Sequence, residues 1–180
     1  MDIYMNTQSS ITAALKSSVN QFNELVSSLD NNEFELNPNH KWSAGQDLVH
    51  LIKVLKIVNI GFTLPKMLLK VLFGLHKQAP RTFEQLQTMY KNALAGGAKA
   101  PSIYIPKPVL YKDKNVLLEK HHALNAKFME KINSHSDYEL DNYCLPHPIL
   151  GKVSLRELAI FTSFHSQHHY DLLKTKLNKA

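Results

Sequence analysis

The chain has 180 residues, 44% of them hydrophobic, and 21 basic against 15 acidic side chains leave a net charge of +6. That length suits one domain, 1–180, with a sizeable core, and the composition excludes a mainly disordered chain. The lysines are spread along the sequence rather than gathered in one block, so the charge describes a basic protein better than a nucleic-acid binder.

A single cysteine, Cys144, excludes an internal disulfide framework and suits a reducing compartment. The first ten residues show no basic start followed by an apolar run. A cytoplasmic location is therefore expected. The most apolar stretch, 51–75, is interrupted by Lys53, Lys56, Lys66, Lys70 and Pro65, whereas a spanning helix needs about 20 mostly apolar residues in a row. No transmembrane segment is expected.

In chain order, Ile11, Leu15, Val19, Phe22 and Leu25 recur at helical steps and predict an amphipathic helix over 7–29. Asp30, Asn31 and Asn32 mark a turn. A second helix starts at the capping box Ser43-Ala44-Gly45-Gln46, with Trp42 placed to staple onto its first turn. It runs through Leu48, Leu51, Leu55 and Val58 and is expected to stop near Gly61. A shorter segment restarts around Pro65 and reaches about residue 76, with Met67, Leu68, Val71 and Leu75 on one side and Lys66 and Lys70 on the other.

Residues 92–110 read as loop, punctuated by Gly96, Gly97, Pro101, Pro106 and Pro108. They form either a cover for a site mouth or a plain connector. Leu117, Leu124, Phe128 and Ile132 predict a third helix over 114–133. A loop with Cys144, Pro146, Pro148 and Gly151 follows, and Ser154-Leu155-Arg156-Glu157 is a second capping box, opening a last helix that reaches about residue 176. With no alternating β pattern and no repeat, four long helices predict an all-α four-helix bundle.

Ten histidines stand out. At about 100° per residue, His165 and His169 lie only about 40° apart on the last helix, on the face that carries Leu158, Phe161 and Leu172. Buried imidazoles need partners, and a metal ion suits two at this spacing; hydrogen bonding within the core is the competing reading. His168 flanks the pair, about 60° from His165. His50 stands at the edge of the second helix's apolar arc, beside Val54 and Ile57. From there it can supply a third donor from a facing helix.

His121 shares a face with Leu117 and Leu124. It reads as a reserve ligand, a hydrogen-bond partner near the site, or a boundary residue. His122 is expected in solvent, and His40, His76, His135 and His147 lie in or beside loops and receive no role. Asp47, one turn before His50, can orient a ligand imidazole or simply favour the helix N-terminus. Cys144 lacks a convincing base nearby, His147 notwithstanding, and is a poor nucleophile.

The segments KWSAGQDLVHL (41–51) and HPILGKVSLRELAIFTSFHSQHHYDLL (147–173) resemble the second-helix start and the last helix of the DinB-like (DinB/YfiT-like) superfamily. The resemblance implies a four-helix bundle with a long crossover connection, often as a homodimer. It also implies a metal on one histidine of the second helix and two residues one turn apart in the last, which map onto His50, His165 and His169. His168 matches a histidine of the family that is usually not a ligand. The lysine-rich segment 63–112 carries no motif of the family.

Zinc or nickel suits three imidazoles first, and manganese or iron also fits. By analogy with the superfamily the metal would activate a low-molecular-weight thiol for attack on a small-molecule electrophile, or serve a hydrolase; the catalytic residues themselves are not assigned. The alternative is a non-enzymatic, stress-related binding protein, motivated by the +6 charge and the basic amphipathic segment 63–77, with a structural or vestigial metal site.

Overall fold

A computed structural model describes residues 7–37 and 41–178; His40 lies outside them. Four long helices build the bundle: α1 (Gln8–Ser28), α3 (Ala44–Thr63), α6 (Lys114–Ser134) and α8 (Leu155–Leu177). α1 packs along α8 and α6, α3 packs along α6, and α3 and α8 close the ring. Ile11, Leu15, Val19, Phe22 and Val26 are the buried stripe of α1, where a helical period places one apolar face toward its neighbours. Phe22, Phe34 and Phe128 are among the largest fully buried side chains.

Three of the four main helices start at a capping box. Thr7, Ser43 and Ser154 cap α1, α3 and α8, and each is answered by the residue three positions on (Ser10, Gln46 and Glu157). These reciprocal bonds satisfy backbone donors that the first turn leaves free. The C-terminal end of α1 is closed from another helix: Lys114 Nζ donates to the carbonyls of Ser27 (2.9 Å) and Leu29 (2.7 Å), where a cation also matches the helix dipole.

Several expectations need correction. The second helix ends at Thr63, near Gly61 as expected, but it runs through the glycine. A Cβ on Gly61 would meet Leu145 Cδ1 at 2.6 Å, so the glycine permits close approach of another element instead of ending the helix. The next segment, α4 (Lys66–Phe73), ends before residue 76, at Gly74 with φ +69. Residues 92–95 are not loop. They finish α5 (Phe83–Ala95), which starts at a capping box of Thr82 and Gln85 and packs on α8.

The stretch before the last helix is also structured. It holds α7 (Asp137–Asn142), again capped by a box (Ser136 and Glu139), and an antiparallel hairpin of β1 (Cys144–His147) and β2 (Gly151–Ser154). A short α2 (Asn31–Glu35) buries Phe34 against the start of α3. The connection from α3 to α6 is the long crossover; it carries α4, α5 and two short 3-10 turns. No single described helix is long and apolar enough to cross a membrane, and α3 and α4 are bent by 106° at their junction.

Candidate metal centre

α3 and α8 bring His50, His165 and His169 together. All three are buried, and one ring nitrogen from each lies within 4.8 Å of the others. His50 is only 4% exposed, deeper than its place at the rim of the apolar arc suggests. The facing helix decides this, by covering the arc's edge. Nε2 of His50 and Nε2 of His165 are 3.3 Å apart. Tetrahedral ligands at 2.0–2.1 Å from zinc stand about 3.3–3.4 Å from one another.

Two of the three tautomers follow from their partners. His50 Nδ1 stands 3.1 Å from the carbonyl oxygen of Tyr104, an acceptor only, so Nδ1 carries the proton and Nε2 keeps its lone pair. His169 Nδ1 stands 3.0 Å from Asp47 Oδ1, which likewise directs its proton to the carboxylate and leaves Nε2 free. Asp47 thus orients a candidate ligand from one turn before His50. Its other oxygen accepts from Lys176 Nζ at 3.1 Å, and Lys176 also donates to the Trp42 carbonyl.

The donor set fits a metal better than a self-contained hydrogen-bond cluster. A closed cluster would pair its buried nitrogens, yet Nε2 of His50 and Nε2 of His169 both keep lone pairs, and a neutral His165 has only one N–H to offer them, whereas a cation can accept from all three. Burial pushes His165 and His169 well below the ordinary imidazole range, and lowers His50 as well. All three are therefore neutral near pH 7, the form that ligates. Burial also raises the Asp47 carboxyl, to about 6, against the pull of Lys176, so it is ionised at neutral pH.

Trp42 does more than staple a helix start. Its ring lies 4.9 Å from that of His50 and stacks on His169 at 6.3 Å, forming one wall of the centre. His168 stands outside the trio, its ring edge-on to that of Tyr90 at 5.7 Å. His121 is no boundary residue, and it does not join the buried histidine group. It is fully buried between α1 and α6, bonded through Nδ1 to Asn23 Oδ1 at 2.7 Å. Burial and the nearby His122 push its pKa down to about 3. Cys144 is buried, and burial raises its thiol pKa, the opposite of what a nucleophile needs.

A cavity of about 290 Å³ opens beside the trio, with His50 and His165 in its wall. Val54, Val58 and Leu64 of the α3 side face Leu158 and Phe161 of α8 across it. Tyr104 and Pro101, in the connection expected as either a cover for a site mouth or a plain connector, complete one side. Lys53 anchors that connection by donating to the carbonyls of Ile103 (3.2 Å) and Ile105 (2.8 Å).

Fold and centre together define a helical bundle with a buried three-histidine cluster beside an apolar cavity. The family model of the DinB superfamily matches residues 14–173, and the chain belongs to that superfamily. No curated protein matches it.

Proposed function

We propose that the chain is a metal-dependent enzyme that uses His50, His165 and His169 to hold one divalent ion, zinc or nickel first, and transfers a thiol or water to a small electrophilic substrate. The observation that carries this reading is the convergence of three neutral, buried imidazoles, two with their Nδ1 protons committed elsewhere. An ion held there supplies Lewis acidity, which brings a thiol or water to its anionic form near neutral pH.

The chain's own residues do the rest. Asp47 and the Tyr104 carbonyl aim the imidazoles of His169 and His50. Lys176 holds Asp47 in place, and Trp42 with the apolar cavity wall limits access of bulk water. Thiol transfer and hydrolysis are both compatible with this arrangement, and superfamily membership favours neither. Elemental analysis of protein purified without a histidine tag, followed by a thiol-transfer screen with a generic electrophile, tests the proposal. Metal near one equivalent and thiol-dependent turnover support it.

Asp47→Asn is expected to lower metal affinity by roughly 10–100-fold, the usual effect of removing a carboxylate that orients a ligand histidine, while the fold is kept. Trp42 is the only tryptophan and touches His50 and His169, so its fluorescence reports the titration. Wild-type affinity should be level above pH 7 and fall as the pH drops through about 6, where Asp47 takes up a proton; the Asn variant should lack that step. Equal affinities for the two proteins at pH 7.5 would contradict the role given to Asp47.

A second reading rests on α4. Met67 and Val71 are 76% and 74% exposed, beside the exposed Leu72 and Lys70, and no Asp or Glu occurs between Asp47 and Glu84. This basic, apolar face suits binding to an anionic surface. Co-sedimentation with phosphatidylserine vesicles at low salt, lost in Val71→Glu, is the expected result under that reading; equal recovery with phosphatidylcholine vesicles or none with either would dismiss it.

A further inference from the structure

We propose that the cavity beside the histidine trio binds an uncharged, mainly apolar ligand of roughly ten to twelve heavy atoms, and that His147 recognises a hydrogen-bond acceptor on it through Nε2–H. As the substrate class of the metal centre this rests on the function proposed above; as a binding site it stands on separate observations.

The size follows from the volume. The cavity measures about 290 Å³, roughly twice the 150 Å³ that accepts benzene in an engineered protein core. The charge follows from the wall. Among the described residues lining it there is no Lys, Arg, Asp or Glu. Lys53, close by on α3, is turned away to two backbone carbonyls. A carboxylate or ammonium group placed here would lose its hydration with no opposite charge to replace it, which is costly. A thiol cofactor that carries carboxylates therefore does not belong inside this cavity and would approach the centre from elsewhere.

His147 supplies direction. It sits at the end of β1, where the hairpin turns, and its ring lines the cavity edge-on to Phe161 at 4.6 Å. Nδ1 accepts from two backbone N–H groups of that turn, those of Ile149 (3.2 Å) and Leu150 (3.0 Å). An imidazole nitrogen that accepts twice carries no proton, so the proton resides on Nε2. Nε2–H has no hydrogen-bond partner among the described residues. Burial and the Arg81 charge lower the ring's pKa to about 4, in keeping with a neutral donor. Thr162, also in the wall, spends its hydroxyl proton on the Leu158 carbonyl. Tyr90 and Tyr104 also line the wall; a phenol hydroxyl can donate or accept, whereas the His147 tautomer is fixed by its turn.

Three probes with one carbon skeleton test this on metal-free protein by NMR titration: 4-phenylbutanamide, 4-phenylbutanoate and butylbenzene. The amide is expected to bind at least about tenfold more tightly than the carboxylate. His147→Phe, which keeps a ring and removes the donor, should weaken the amide roughly three- to tenfold and leave butylbenzene unchanged. If that variant does not fold, the wild-type imidazole nitrogen spectrum decides: the amide must move the His147 Nε2 resonance and butylbenzene must not. Equal binding of carboxylate and amide, equal loss of amide and butylbenzene in the variant, or no binding of any probe at millimolar concentration would each overturn the proposal. Because the series is run without metal, its failure would leave the metal centre to be judged by elemental analysis, and failure of the metal analysis would leave this site intact.

Discussion

His165→Ala is expected to abolish stoichiometric metal binding, whereas His168→Ala leaves it intact. His165 is buried on α8, its Nε2 faces Nε2 of His50 at 3.3 Å, and its ring also lies 4.8 Å from that of His169. Its loss removes a donor itself, which should exceed the roughly 10–100-fold that the partner of a ligand is worth. His168, one residue before His169, points its ring at Tyr90 and Phe164. Elemental analysis of untagged proteins reads the difference directly. Thermal unfolding gives a second readout, since a ligand at a hundred times its Kd stabilises by about 2.7 kcal/mol. Added zinc should raise the Tm of wild type and of His168→Ala but not of His165→Ala. Wild-type protein with only a trace of metal, or a metal content indifferent to His165, would sink the metal reading.

The second large effect is on the fold. Arg81→Ala is expected to cost about 3–5 kcal/mol, the range for removing one partner of a buried ion pair. Glu157 is fully buried at the start of α8, and Arg81 grips both its oxygens, through Nε at 2.8 Å and Nη2 at 2.8 Å, while the Arg81 backbone N–H adds a third bond at 2.7 Å. The same carboxylate accepts the Ser154 N–H that closes the cap of α8. Burial by itself would raise Glu157; the bonds from Arg81 and Ser154 more than offset it and hold the group below its ordinary 4.5. A carboxylate so lowered stabilises the fold at pH values above 4.5, and the contribution is lost as the pH falls further. Chemical denaturation at pH 7 measures the cost. Arg81→Ala combined with Glu157→Gln should be less destabilised than Arg81→Ala alone, because no buried charge is then left unpaired. A cost below 1 kcal/mol would place the pair with exposed ion pairs and contradict its burial.

The pair also explains how α8 is positioned for function. Arg81 lies between α4 and α5, its Nη2 reaches the Lys152 carbonyl in β2, and Glu157 stands two turns before His165. Crossover, hairpin and the histidine helix are thus tied at one point. This connection is long-range in sequence, and nothing in the local pattern around residue 81 announces it.

What the sequence determined by itself are the features with local causes. The four long helices carry enough turns for a 3.6-residue period to show, and Ser43 and Ser154 place two of their starts through bonds to residues three positions away. The spacing of His165 and His169 sets them on one face of any helix that contains both, so two candidate ligands could be read before any packing was known. Asp47 was legible for the same reason, as a residue one turn from His50, although its partner turned out to be His169 on the facing helix. Tertiary structure decided the rest. α7 is too short to show a period, and α5 went unread although Thr82 and Gln85 carry the same capping signature as the long helices. The hairpin of β1 and β2 has only four residues per strand. His50 lies at the rim of its own helix face, and only α8 across from it makes that position interior. His121 looked similar in sequence and is held instead by Asn23 of α1. The apolar cavity, the orientation of Trp42 and the fixed tautomer of His147 arise where separate elements meet, because volume and hydrogen-bond direction belong to the packed structure and not to any one segment.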